Sequence, residues 1–372
     1  MVTPYDLSHE GGVGRHAQSL ATALRGLGHQ ARVLGPASGA VPEGCDGIPG
    51  VVPIRANGSV ARIGLFTAGH AVRAHLERGR YDLVHVHEPL VPGPSRLALR
   101  LSHVPVVATF HANAEAEPAA GRLLRRAVSL GLSRLAAGIA VSLEAKRFAR
   151  AIYRGPVAVI PNGVDLSRFG PAAGADRVAG ASGAAAGGAL RVLFVGRFGE
   201  PRKGFEVLAE AAERLAAAGR PVEVTVVGAG PRERWQGRAA LRFAGRLDDA
   251  GLAAAYAAAD VFCAPSLGGE SFGMVLVEAM ASGCPVVASA IPGYAEAARG
   301  AARLIRPGDA AALAEALWSA GREGAERERL TRLGLARAPA LDWAHLARRV
   351  ERIYLKALRR RGAVGAPVEA RP

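Results

Sequence analysis

The sequence predicts an α/β protein built of two Rossmann-like, doubly wound domains, and three observations carry that prediction. A chain of 372 residues is too long for one ordinary core. Short apolar runs alternate with longer helical patterns in two successive series, which is how a parallel sheet covered on both faces reads in sequence. Between the series lies 171–188, an Ala/Gly-rich stretch without an apolar period that reads as a flexible linker.

The chain opens on Met1-Val2-Thr3-Pro4, which has the look of the last residues of a first strand with a few residues missing upstream. Gly11-Gly12-Val13 then begins the first helix. Strands are expected over Ala31–Leu34, Leu83–Val86, Val106–Phe110, Gly138–Val141 and Val157–Ile160, closing a first domain over 1–170. The second series, Leu190–Gly196, Val222–Gly228, Leu241–Ala244, Val261–Ala264, Pro285–Ser289 and Ala302–Ile305, defines a second domain over 189–340. Asp342-Trp343 caps a last helix, 341–361, expected to cross back to the first domain. Leu346, Val350, Ile353, Tyr354 and Leu358 share one of its faces, and Arg348, Arg349, Arg352, Lys356, Arg359 and Arg360 the other. Residues 362–372 read as a frayed tail.

Charge narrows the partners. The formal net charge is +15, and only three of the cations are lysines, Lys146, Lys203 and Lys356. Such a surface attracts phosphates, anionic lipid or nucleic acid. Nucleic acid is disfavoured, because aromatics make up 5% of the chain and no zinc-finger or RNP-type motif is present. Cys45, Cys263 and Cys284 form neither a disulfide framework nor a metal-ligand spacing, which implies a reducing, cytoplasmic setting. No run approaches the roughly 18 apolar residues of a membrane span, so membrane contact is expected to be peripheral.

The most informative segment is 268–283, a Gly-bounded helix with Glu270 before its mouth and Glu278 about one turn inside. Amide groups of Phe272, Gly273, Met274 and Val275 at the helix start would face an anion such as diphosphate, with Gly273 permitting close approach. Glu278 is placed to accept hydrogen bonds from vicinal hydroxyls of a ribose, and Glu270 lies nearer a transferred sugar. Met274, Val275, Leu276, Val277, Ala279 and Met280 make the helix apolar nearly all round, so it is expected to be buried, and a buried glutamate needs partners.

Strand 190–196 runs into Arg197-Phe198-Gly199-Glu200-Pro201-Arg202-Lys203-Gly204, which places Arg197 and Lys203 at a carboxyl strand end to meet the same diphosphate. In the first domain, Gly11-Gly12-Val13-Gly14 lacks the acidic residue that a nicotinamide dinucleotide site wants after the second strand, where Leu34-Gly35-Pro36 stands instead. These glycines are read as clearing space for a donor phosphate. His111 should project from the end of strand 106–110. Alternation puts His85 and His87 on one strand face, read as packing and site lining rather than metal ligation.

Taken together, Pro4-Tyr5, Gly11-Gly12-Val13, Asn57-Gly58-Ser59-Val60-Ala61-Arg62, His87-Glu88-Pro89, Ala108-Thr109-Phe110-His111, Ile160-Pro161-Asn162-Gly163-Val164-Asp165, Gly196-Arg197, Glu200 to Gly204 and Gly268 to Gly273 resemble the retaining GT-B glycosyltransferases of family 4 along nearly the whole chain. Asn57 to Arg62 is similar to the branch that mannosylates phosphatidyl-myo-inositol. The resemblance implies that Gly12, Arg197, Lys203, Glu270, Phe272, Gly273, Met274, Val275 and Glu278 bind GDP-mannose. It implies that Tyr5, Asn57, Ser59 and Arg62 hold the inositol ring of phosphatidyl-inositol, and that His111 sits on the C6 hydroxyl of the reacting sugar. His111, Glu270, Arg197 and Lys203 would then be the catalytic set. It further implies retention of anomeric configuration, no cofactor and no obligatory metal, and peripheral attachment to the inner membrane face through a basic helix bearing His70, Arg73, His75, Arg78 and Arg80. Two departures stand out, Gly14 in place of the family's glutamine and Ala112–Glu117 in place of hydroxyls and a lysine. A UDP-glucose or UDP-N-acetylglucosamine transferase, a sugar-nucleotide epimerase and a non-catalytic basic binder are the competing readings.

Overall fold

The computed structural model describes residues 1–9, 11–56, 59–111, 129–170, 188–238 and 240–362. The expected linker at 171–188 up to residue 187, and the expected tail at 362–372 from residue 363, fall outside the described residues, as do Asn57 and the segment 112–117. The chain divides into two compact units, one comprising Met1–Gly163 with the chain from Trp343 onward, the other Val164–Asp342. Among the described residues no helix is long and apolar enough to cross a membrane.

The first unit contains helices α1 (Gly12–Gly26), α2 (Gly69–Gly79), α3 (Pro94–Leu101) and α4 (Leu143–Ile152). Its strands are β1 (Val33–Pro36), β2 (Cys45–Ile48), β3 (Val52–Ala56), β4 (Ser59–Ile63), β5 (Val84–His87), β6 (Val106–Phe110), β7 (Leu135–Ala140) and β8 (Val157–Val159). Strands β5 to β8 pair in sequence order, all parallel. Val2 bridges in parallel to both Leu34 and Val86, so the opening residues lie between the β1–β2 pair and β5. Every residue of β5 and β6 is buried, which explains why they read as unbroken apolar runs.

One expectation needs correction here, and one element was not anticipated. The first-series strand placed at Ala31–Leu34 lies two residues later, because pairing continues past Leu34: Thr3 N–H donates to the Leu34 carbonyl and Leu7 N–H to that of Pro36. An antiparallel hairpin, β3–β4, is inserted before α2, with Val52 opposite Ile63 and Ala56 opposite Ser59.

The last helix, α12 when the second unit's helices are counted in order, spans Trp343–Gly362 and belongs to the first unit. Leu346, Ala347, Val350 and Ala357 pack with Leu20 and Leu24 of α1 and with Val107 and Ile139 of the sheet. Ala357 takes the buried position expected for Leu358, which is only half-buried.

The second unit carries α5 (Leu166–Phe169), α6 (Phe205–Ala217), α7 (Asp249–Ala258), α8 (Met274–Ala281), α9 (Pro292–Ala298), α10 (Ala310–Arg322) and α11 (Gly324–Arg337). Its strands are β9 (Leu190–Val195), β10 (Val222–Val227), β11 (Leu241–Gly245), β12 (Val261–Ala264), β13 (Val286–Ser289) and β14 (Arg303–Ile305). They form one parallel sheet in the order β11-β10-β9-β12-β13-β14, which is the doubly wound arrangement whose direction of winding reverses between the first and fourth strands. Ligand crevices in such sheets open at the carboxyl ends of the two strands flanking that reversal. Here those strands are β9 and β12.

Candidate functional site

Both loops at that reversal carry charge. After β9 the chain passes Arg197 and Glu200, makes a 3-10 turn over Pro201–Lys203 and enters α6 at Gly204. Only glycine serves at 204, where φ is +67° and a Cβ would stand 1.9 Å from the Pro265 carbonyl oxygen of the neighbouring loop. The two loops are thereby held backbone to backbone. Leu267 N–H donates to the Arg202 carbonyl at 2.7 Å across the same seam.

This closeness assembles a charge cluster. Glu270 Oε1 accepts hydrogen bonds from Lys203 Nζ at 2.6 Å and from Arg202 Nη1 at 2.7 Å. Buried Glu200 lies between two guanidinium groups, with Arg197 Nε 2.9 Å from Oε1 and Arg202 Nη2 2.9 Å from Oε2, the latter an ion pair without hydrogen-bond alignment. The cluster contains three cations and two carboxylates, a local excess of positive charge that suits an incoming dianion. Arg202 and Glu200 were not singled out from sequence as site residues. Arg202 is the member that joins the two carboxylates.

The helix after β12 begins later than the sequence suggests. Phe272 and Gly273 precede it, and α8 starts at Met274, because Gly273 has φ +99° and a Cβ there would meet the Tyr294 ring at 2.6 Å. Met274 and Val275, in its first turn, have no helical carbonyl upstream for their amides. Glu278 is buried, as a helix apolar nearly all round requires, and its Oε2 accepts a hydrogen bond from the Tyr256 hydroxyl at 3.0 Å. That hydroxyl also approaches the Val275 carbonyl at 3.2 Å. A tyrosine of α7, invisible as a partner in sequence, thus holds the carboxylate expected to meet ribose.

In the first unit, Gly12 is exposed at the start of α1, and a Cβ at Gly11, Gly12 or Gly14 would meet no atom within 4 Å. The glycines therefore border open space rather than serving tight packing. Tyr5 bridges to Ile63, and Asp6 N–H donates to the Arg62 carbonyl at 3.0 Å, so the turn carrying Tyr5 is docked along β4, which carries Ser59 and the exposed Arg62. Asn57 lies outside the described residues. Burial, with Glu88 nearby, pushes the Tyr5 phenol above its ordinary range.

His111 follows β6 directly and is buried beside other histidines. Its backbone N–H donates to Glu88 Oε1 at 2.9 Å, and its Nε2 lies 3.1 Å from His87 Nδ1. His85 and His87 share one strand face and stack, with ring centroids 4.6 Å apart. His85 is taken up by Thr109 at 2.7 Å and Tyr354 at 2.6 Å. His16 of α1 stands edge-on to His111 at 4.7 Å and to Trp343 at 4.9 Å, and its Nδ1 meets Asn162 Oδ1 at 2.7 Å. Burial pulls His16 down to about 4 and holds His85, His87 and His111 well below the usual imidazole value. The rings are neutral at physiological pH, so His111 can offer a hydrogen bond but no charge. His16 and Asn162 carried no sequence signal for this role, since three distant segments converge only through the fold.

One membrane-face expectation is corrected. On α2, His70, Arg73 and Arg78 are exposed, as is Arg80 just beyond it, whereas His75 is half-buried against Tyr81 at 2.9 Å and Asp46 at 3.8 Å. Burial lowers its pKa, so it adds no charge to that face.

Comparison with known proteins agrees with this architecture. Residues 10–168 match the family described as Glycosyltransferase Family 4, and residues 189–320 that described as Glycosyl transferases group 1. A protein of Mycobacterium leprae named phosphatidyl-myo-inositol mannosyltransferase is 39% identical over 95% of each chain. One of the same name from Mycolicibacterium smegmatis is 38% identical over 95% of this chain and 92% of its own. Among solved structures, a sucrose-phosphate synthase from Thermosynechococcus elongatus superposes with a TM-score of 0.73 at 25% identity, covering 98% of this chain and 99% of its own.

Proposed function

Since the chain belongs to glycosyltransferase family 4, its reaction is sugar transfer, and we propose that it moves mannose from GDP-mannose to the inositol ring of phosphatidyl-inositol with retention of configuration. The observation that carries this reading is the cluster of Arg197, Arg202 and Lys203 around Glu200 and Glu270 at the winding reversal of the second sheet. A diphosphate seated there is met by the first-turn amides of α8 and by Arg197 and Lys203. The cations draw off charge as the phosphate departs. Glu278, held by Tyr256, accepts from the ribose hydroxyls.

As Lys203 and Arg202 turn toward phosphate, Glu270 is released to hydrogen-bond the transferred sugar. His111, neutral and fixed from behind by Glu88, holds the C6 hydroxyl of the mannose. Tyr5, Asn57, Ser59 and Arg62 take the acceptor. Leaving-group charge is met by side chains and amides, so the reaction needs no cofactor and no obligatory metal. Retention follows if the acceptor attacks from the side the phosphate leaves, with the departing phosphate taking the acceptor proton.

The acceptor is a lipid, so the enzyme works from the cytoplasm at the inner membrane face. The loop before α2 supports that reading, because Phe66 is 76% exposed and neighbours exposed Leu65, a short distance along the chain from Arg73. At about 1 kcal/mol per cation near an anionic surface, Arg73, Arg78 and Arg80 suffice for reversible adsorption.

The test is to incubate purified protein with labelled GDP-mannose and phosphatidyl-inositol vesicles and analyse the lipid fraction. A mannosylated inositol lipid is expected. Label that stays water-soluble, or turnover with UDP-sugars in place of GDP-mannose, rejects the assignment.

A further inference from the structure

We propose that His16, His87 and His111 form a binding site for a divalent transition ion of the zinc class, and that its occupancy withdraws His111 from substrate. One ring nitrogen from each residue lies within 4.8 Å of the other two. The three side chains come from α1, the end of β5 and the position after β6, and each is buried. A tetrahedral zinc with bonds of about 2.0–2.1 Å asks for nitrogens about 3.3–3.4 Å apart. His87 Nδ1 and His111 Nε2 already stand 3.1 Å apart, so ring rotations closing the remaining gaps by roughly 1.5 Å or less would complete three corners of a tetrahedron.

A further feature points to an ion rather than to a plain hydrogen-bonded cluster. Asn162 Oδ1 accepts from His16 Nδ1, which fixes the proton there and leaves Nε2 as a bare lone pair. That is the orientation an outer partner imposes on a ligating histidine. A donor set of three imidazoles suits zinc, cobalt or copper and does not suit magnesium or calcium, which want oxygen.

Binding balances simply. The ring that donates the His87–His111 hydrogen bond shifts that proton to its other nitrogen, so every neutral ring carries its single proton away from the ion, and the ion gives up all but one of its hydration waters. The His87–His111 hydrogen bond is exchanged for two metal bonds, and no electron moves. The fourth position stays open to water. With its Nε2 on the metal, His111 no longer serves a sugar hydroxyl, so the ion inhibits transfer.

The experiment titrates chelator-stripped full-length protein with Co²⁺ and follows visible absorption. A tetrahedral cobalt spectrum saturating at one equivalent and displaced by Zn²⁺ is expected. His87→Gln and His16→Gln should each weaken binding at least tenfold, Asn162→Ala by about 10–100-fold, and exposed His70→Gln should leave it unchanged. X-ray absorption on the zinc-loaded wild type, which does not depend on how the variants fold, should show three imidazole nitrogens at about 2.0–2.1 Å. No saturable cobalt spectrum, fewer than three imidazoles, or full binding by folded His16→Gln and His87→Gln would overturn the proposal. These readouts hold whatever sugar the protein transfers.

Discussion

Replacing Lys203 with alanine separates what the charge cluster does for the fold from what it does for chemistry. In the free protein Lys203 Nζ shares Glu270 Oε1 with Arg202 Nη1, at 2.6 and 2.7 Å. Removing the lysine therefore leaves the carboxylate still paired. A charge-assisted hydrogen bond contributes about 1.5–3 kcal/mol, and with a second cation in place the loss to folding should stay at or below about 1 kcal/mol. For a domain of this size that is a fall of about 2–4 °C in melting temperature. Transfer is another matter, because negative charge grows on the leaving phosphate and one of its counter-charges is gone. Loss of one preorganised donor of this kind slows catalysis about 10²–10³-fold, or about 2.7–4 kcal/mol. The assay is the initial rate at saturating GDP-mannose with phosphatidyl-inositol vesicles, read beside a thermal melt. A variant that melts normally and turns over within threefold of wild type would refute the placement of the diphosphate.

Further outcomes follow from other contacts. Glu278→Gln should keep the Tyr256 hydroxyl bonded yet weaken GDP binding by about 1 kcal/mol or more, visible as a lower affinity in calorimetry; unchanged affinity removes Glu278 from the ribose site. Gly204→Ala should destabilise the second unit by more than the 1–3 kcal/mol of a strained backbone alone, since its Cβ would stand 1.9 Å from the Pro265 oxygen; an unshifted melt contradicts the seam. Asp260, buried and bonded by the Arg191 amide at 2.9 Å and guanidinium at 2.6 Å, titrates below an ordinary aspartate because of those bonds, although burial alone would raise it. A depressed carboxylate contributes stability above its unfolded pKa, near 3.8, that is lost as pH falls through the folded value. Asp260→Asn should therefore flatten the acid limb of a stability-against-pH curve, and an identical limb in the variant removes Asp260 from acid unfolding. Arg73→Ala should weaken adsorption to anionic vesicles about fivefold, one cation's share of about 1 kcal/mol, with cosedimentation as the measure and unchanged binding as the contrary result.

Much of this fold was legible because its strands are buried on both faces. Val106–Phe110 and Val261–Ala264 are continuous apolar runs in sequence and strands with the same bounds in the structure. The hairpin β3–β4 was also written in the chain, as Asn57-Gly58 between runs of alternating polarity, which is a strong short-range hairpin signal. A search for parallel-sheet runs passes over it, since a half-exposed antiparallel strand alternates instead. The late start of α8 was hidden for another reason. Gly273 looked like part of a helix, and its left-handed φ of +99° becomes necessary only once Tyr294 is packed against it.

The site splits along the same physical line. Arg197, Lys203 and Glu270 sit on loops at strand ends, and their order along the chain already implies that they meet, because a doubly wound sheet brings the loops after its first and fourth strands together. Arg202 stands beside Lys203 in sequence, yet which cation reaches which carboxylate depends on the 3-10 turn over Pro201–Lys203, and spacing alone does not encode that. The histidines are the opposite case. His16, His87 and His111 come from a helix and two strand ends, and nothing in their spacing reports that Asn162 and Trp343 close around His16. Burial then does to them what exposure spares the arginines: it strips their charge. The second unit carries fixed ions at its sheet's winding reversal, whereas the first presents neutral rings whose behaviour is set by which nitrogen holds the proton. That difference makes a lone-pair probe such as cobalt informative on one unit and a charge-deleting substitution informative on the other.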